Sequence, residues 1–152
     1  MIIEKDLEKI KKEAERFFNK AGIEVDIKVK ASSENVVDID LDIDQPQILI
    51  GEKGQTLIDV QRLFKILLRK KIQKPFFINL DINDYKKKKI EYLKEMANSI
   101  ADNVILTKKE KILEPMPAYE RRIIHLELAE RSGVVTTSIG QEPERRVVIK
   151  PT

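Results

Sequence analysis

Apolar positions recur along this chain with two different periods, and each change of period marks a new element. Ile3, Leu7, Ile10, Ala14, Phe17, Phe18 and Ala21 fall at helical spacing, with Lys and Glu between them. They predict an amphipathic helix over 3–21, which Gly22 ends. The period then drops to two. Ile23, Val25, Ile27 and Val29, and after them Val37, Ile39, Leu41 and Ile43, predict strands over 23–30 and 36–44, each with one buried face. Residues 32–35 supply the hairpin loop. Asp38, Asp40, Asp42 and Asp44 take the other face of the second strand. Side chains on a strand face project in parallel and do not converge on a cation. The acids therefore predict a solvated face that repels phosphate, relieved by Lys28 and Lys30 on the neighbouring strand.

Helical spacing returns briefly in Gln47-Ile48-Leu49-Ile50, and then at length through Val60, Leu63, Phe64, Leu67 and Leu68 to about Lys71. Between the two lies Ile50-Gly51-Glu52-Lys53-Gly54-Gln55-Thr56-Leu57. The pattern predicts helix, glycine-bounded turn, helix. Residues without Cβ let another backbone come close. A helix starting near Gly54 aims its free N–H groups into the turn, which favours an anion, and Lys53 adds a mobile charge. Taken alone, such a turn more often merely joins two helices. Pro75 breaks the chain, and 76–82 predicts a third strand.

Asn83 and Asp84 are candidate N-caps for a long helix marked by Tyr85, Ile90, Leu93, Met96, Ala97, Ile100, Ala101, Val104 and Ile105. Lys86 to Lys89 lie in its first turns, unfavourably against the helix dipole. No Gly/Ser linker occurs near Ile82, so two domains, 1–82 and 83–152, are expected to abut through a short joint. Further on, 111–114 predicts a short strand, Pro115-Met116-Pro117 a turn, and 118–128 a helix. On that helix Arg121 and His125, four apart, share a face. Residues 134–139 and 145–150 predict a hairpin with 140–144 at its tip. Alternation along a strand keeps Arg145 and Arg146 from both facing one ligand.

Composition narrows the function. The 152 residues are 41% hydrophobic and 36% charged, which suits a globular α+β protein with a highly charged surface. Cys is absent, so disulfides, thiolate metal sites and Cys nucleophiles are excluded, as suits a cytoplasmic protein. No apolar run is long enough to span a membrane, and the first residues lack the apolar core of a signal peptide. The net charge of +3 is too small to argue for nucleic acid by itself; local clusters must do so. Aromatic residues are 5% with no Trp, so a broad base-stacking platform is not expected.

The order helix, strand, strand, short helix, G-x-x-G, helix, strand, with Ile-Gly-x-x-Gly-x-x-Leu at its centre, resembles the KH domain in its type II topology (αββααβ, three-stranded sheet). KH domains clamp the backbone of unpaired nucleic acid with the G-x-x-G loop and seat the bases in an apolar groove. The resemblance implies a clamp of Gly51, Glu52, Lys53 and Gly54, with Ile50, Leu57 and Ile58 near the groove. Here Glu52 offsets Lys53 in a pair that such domains usually keep basic. The second half, Glu114-Pro-Met-Pro-Ala-Tyr-Glu-Arg-Arg-Ile-Ile-His125 followed by a hairpin with Arg145-Arg146-Val-Val-Ile149, resembles the Arg-x-x-x-His single-stranded nucleic-acid-binding domain (αβαββ). Both motifs in this order are similar to the bacterial Jag (KhpB) family. That resemblance implies binding to single-stranded RNA, or single-stranded DNA, with Arg121 and His125 contacting phosphate or a base edge and Arg122, Arg145 and Arg146 helping. It further implies a small KH-domain protein or a second copy as partner, reached through the first helix or the third strand, and a role in RNA regulation of cell elongation, division or sporulation.

Three rivals remain. Catalysis is disfavoured, because the single His has no Cys and no acid at metal-ligand spacing, and the glycines do not continue into a P-loop. No cofactor or metal is expected. A double-stranded DNA reader would use helix–turn–helix, but no helix displays base-reading side chains at suitable spacing. A protein adaptor acting through KH pairing is the third.

Overall fold

The computed structural model describes residues 1–152. They divide into two units, Met1–Lys86 and Lys87–Thr152, each with its own three-stranded sheet and core. The first contains α1 (Glu4–Ala21), β1 (Asp26–Ser33), β2 (Val36–Asp42), α2 (Gln47–Ile50), α3 (Gln55–Lys71) and β3 (Phe77–Ile82). The second contains most of α4 (Tyr85–Thr107), then β4 (Lys111–Ile112), α5 (Ala118–Leu128), β5 (Val134–Ile139) and β6 (Arg146–Pro151). The chain is therefore mixed α+β, with the αββααβ and αβαββ orders that the two resemblances imply. No helix is long and apolar enough to cross a membrane.

In α1, Ile10, Ala14 and Phe18 stack at i, i+4 and i+8 and are fully buried. Its start is held by Asp6, whose carboxylate accepts from the Ile3 amide at 3.1 Å and from Lys74 Nζ at 2.6 Å. The Lys74 hydrogen bond, more than the Ile3 one, holds this carboxyl below its ordinary range. Phe17 and Phe18 meet Phe64 of α3 with ring centroids 5.0 Å and 5.6 Å apart, which joins the two helices over the sheet.

The sheet order is β1-β2-β3, antiparallel then parallel. Val37, Ile39, Leu41, Leu80 and Ile82 point to the core. On the other face Lys28 pairs with Asp40 and Lys30 with Asp38, and Lys30 Nζ reaches Asp40 at 3.5 Å. The first hairpin is displaced from its expected bounds. β1 starts at Asp26 because Ile23 and Val25 pack on the core before pairing begins, and it runs through Ser33, leaving Glu34 and Asn35 as the turn. A register shift between Ala31 and Ser33 absorbs the odd residue.

Along β3 the amides of Phe77 and Asn83 turn inward, to Asn35 O and Leu41 O. Those of Leu80 and Ile82 turn to the open edge. There Gln61 Oε1 accepts from Leu80 at 3.0 Å, and Asp81 Oδ1 accepts from Ile82 at 2.8 Å.

The start of α4 departs from expectation. Neither Asn83 nor Asp84 caps it. Both adopt left-handed backbone, with φ of 49° and 56°, and the Asn83 amide instead bridges the N–H and C=O of Ile43. The cap comes from Asp81 Oδ1, which accepts from the Lys86 amide at 3.0 Å. The first unit also reaches past Ile82. Tyr85 packs on its core, and Lys86 Nζ bonds Gln61 at 2.8 Å and Asn79 at 3.1 Å. Burial there lowers the Lys86 pKa, against the opposing pull of Asp81 and Asp38.

In the second unit Leu93, Ala97, Ala101 and Val104 of α4 share a core with Ile124 and Leu128 of α5. The sheet order is β4-β6-β5, so β6 is central and its Val147 and Ile149 are fully buried. β4 is two residues rather than four, because Pro115 has no N–H to continue the ladder.

Candidate nucleic-acid interface

The turn between α2 and α3 is built from left-handed backbone. Gly51 sits at φ 71°, ψ −176°, a conformation nearly confined to glycine. Lys53 has φ 52° and Gly54 φ 82°. A Cβ on Gly51 would lie 2.0 Å from Thr56 Oγ1, and one on Gly54 would lie 3.0 Å from the Tyr85 ring. Close approach therefore does require glycine here, though the near groups belong to the chain itself. Glu52 and Lys53 are exposed at the apex. No side chain caps α3, so the dipole end of a 17-residue helix opens beside Lys53. Of the apolar neighbours, Ile58 is exposed and Ile50 half-buried, but Leu57 is 1% exposed and points into the core. Leu57, expected near the groove, lies in the core instead: the period that places it on α3 places it beneath the helix. Ile48, exposed on α2, has the character that Leu57 lacks.

In the second unit the motif residues have very different surroundings. Arg121 is buried, unlike a residue on an exposed helix face. Its Nε donates to Met116 O at 3.1 Å and its Nη2 pairs with Glu142. His125 lies between two hydroxyls, Nδ1 with Thr136 Oγ1 and Nε2 with Ser138 Oγ, each at 2.7 Å. A hydroxyl can donate or accept, so the neutral ring is satisfied in either tautomer. Burial, and then the Arg121 charge, lowers the His125 pKa below its ordinary 6.5 and keeps the ring neutral. Arg146 turns back on Glu144, at 3.4 Å to its carboxylate. Arg122 and Arg145 are exposed. None of the chain's ion pairs involves Lys53, Arg122 or Arg145. Of the lysine run, Lys86 is occupied as described and Lys89 pairs with Glu120 at 3.7 Å, leaving Lys87 and Lys88 exposed.

Residues 91–151 match the Arg-x-x-x-His domain family, and Arg121, Arg122, His125, Arg145 and Arg146 all lie inside that span. The chain is 39% identical over 136 residues to the RNA-binding protein KhpB of Clostridium symbiosum, across 89% of this chain and 61% of that protein. It is 34% identical over 128 residues to the RNA-binding protein KhpB of Lactiplantibacillus plantarum, across 84% of this chain and 39% of that protein. These matches are consistent with the Jag (KhpB) family. The KhpB protein of Bacillus subtilis is 36% identical over 104 residues, 67% of this chain and 50% of that protein. The chain spans less than two thirds of the length of each of these relatives.

Within the second unit, sequence reasoning missed Thr136, Ser138 and Glu142. Thr136 and Ser138 alternate on β5 with buried Val134, so the period of two placed them inward. Two hydroxyls at inward positions were the available signal for a buried polar partner. Glu142 had no such signal, because hairpin-tip residues carry no periodicity.

Proposed function

We propose that this chain binds unpaired RNA, in preference to duplex DNA, by its sugar-phosphate backbone. The observation that carries the reading is the turn at 51–54, with exposed Lys53 outside every ion pair at the start of a helix that no side chain caps. Arg122 and Arg145 supply free cations in the second unit, Arg121 and His125 set the shape of that site, and Arg146 borders it. The acidic face carrying Asp38, Asp40 and Asp42 directs RNA away from the first sheet. The relatives' name, RNA-binding protein, supports the same reading. Binding rather than catalysis is supported by the family match over 91–151 and by the relatives' name. The reading extends to RNA regulation in the cytoplasm linked to cell elongation, division or sporulation.

A small KH-type protein or a second copy is proposed as partner. Leu63 and Ile66 of α3 are exposed, and Phe17 and Leu67 border a shallow pocket between α1 and α3.

The test is fluorescence anisotropy of a labelled unpaired RNA titrated with the full chain at several salt concentrations. Affinity is expected to fall as salt rises, with duplex DNA a poor competitor. Salt-independent uptake, or none, refutes the reading; ready displacement by duplex DNA refutes the preference.

A further inference from the structure

The two acids at the tip of the β5–β6 hairpin both lie on arginines of the second unit: Glu142 on Arg121 and Glu144 on Arg146. The first pair is the telling one. Arg121 is 8% exposed and its Nε is held by Met116 O, so the guanidinium cannot swing out to meet a ligand. The Glu142 side chain is 56% exposed on a tip that opens at Gly140 with φ 83°. A fixed cation is thus covered by an anion on the more accessible partner. A carboxylate offers a guanidinium the same paired acceptor oxygens that a phosphodiester offers.

We propose that Glu142 is a resident phosphate mimic that closes the Arg121 site in the free chain, and that RNA binds there by exchanging a backbone phosphate for the Glu142 carboxylate. This rests on the RNA reading above. Exchange has a thermodynamic signature. Arg121 is already neutralised before RNA arrives, so trading one anion for another releases no net counterion from it. Arg121 therefore adds grip and position without adding to the salt dependence of wild-type binding. Such a site also discriminates: a weakly held or mispositioned phosphate does not displace a carboxylate tethered beside the fork.

The experiment compares the full chain with Glu142→Gln, which keeps the shape and removes the charge. Glu142→Gln is expected to bind unpaired RNA about 3- to 5-fold tighter, the upper range for a partly exposed ion pair. Its plot of log affinity against log salt should steepen by about 0.7, one further single-strand phosphate contact. In an Arg121→Lys chain, which lacks the fork, the added Glu142→Gln change should lose that gain. Melting curves establish that each variant folds. Modification of Arg121 by phenylglyoxal, mapped by mass spectrometry, gives a readout without titrating RNA. It should rise in Glu142→Gln and fall in both chains when RNA is added. Equal affinity and equal salt slope in a folded Glu142→Gln chain overturn the exchange and leave the RNA reading standing, as does Arg121 modification that RNA does not alter. Failure of wild type and variant alike to take up RNA overturns both.

Discussion

Replacing Gly51 by alanine isolates what the turn demands of its backbone. Two costs add. The φ 71°, ψ −176° conformation costs a residue with Cβ about 1–3 kcal/mol. The new Cβ also falls 2.0 Å from Thr56 Oγ1, 2.7 Å from Thr56 Cβ and 2.9 Å from the Thr56 amide nitrogen. Thr56 can rotate its hydroxyl away for about 0.5–1.5 kcal/mol, but its backbone cannot leave without shifting the start of α3. The expected destabilisation of the first unit is about 2–4 kcal/mol. Gly22→Ala is the control. Its φ of 70° is also left-handed, but nothing lies within 4 Å of the added Cβ, so about 1–2 kcal/mol is expected. Urea melts followed by circular dichroism, with hydrogen exchange read in peptides covering α2 and α3, separate the two variants. If Gly51→Ala costs no more than Gly22→Ala, the account of the turn as tightly closed on Thr56 is wrong. The practical corollary concerns RNA binding: a charge placed on either glycine tests folding, and Lys53 is the position that tests phosphate.

Lys53→Glu should accordingly weaken unpaired-RNA binding about 10-fold and flatten its salt dependence by about 0.7, with the melting temperature unchanged; anisotropy and calorimetry check the two parts. Phe64→Ala should cost about 3–5 kcal/mol in a urea melt, because its ring is 1% exposed and meets both Phe17 and Phe18. The His125 pKa is lower folded than unfolded, so below 6.5 the unfolded chain binds the proton first. Stability of the second unit should therefore be full above that pH, fall as pH drops through it, and level off below the folded pKa; a His125→Gln chain should lack this step. The Asp6 pKa is lowered as well, by the Lys74 hydrogen bond to its charged form rather than by burial. Its stabilisation is present above 3.8 and lost as pH falls through the folded pKa, and an acid titration of Asp6→Asn should lack that loss.

Element order was legible because periodicity is a local property. Ile10, Ala14 and Phe18 announce α1, and the alternation of Val37, Ile39 and Leu41 announces β2, without knowledge of what they pack on. The chemistry of the site was legible in part. Lys53, Arg122 and Arg145 are free cations where the motifs placed them. The rest depends on which distant group arrives first. Asn83 and Asp84 have the right chemistry to cap α4, yet Asp81 does so because the strand end carries it to the Lys86 amide. Leu57 stands in the motif but faces the core, and Arg121 looks exposed on a helical wheel but is covered by the hairpin tip. Each of these turns on tertiary contacts between segments that no short window spans.

The treatment of the β3 margin has a bearing on self-association. A foreign strand laid along that margin would need the Leu80 and Ile82 amides, and Gln61 and Asp81 already hold them. Strand addition along this part of β3 is thereby opposed. For the proposed companion molecule, the third strand is accordingly a less favourable route than the first helix.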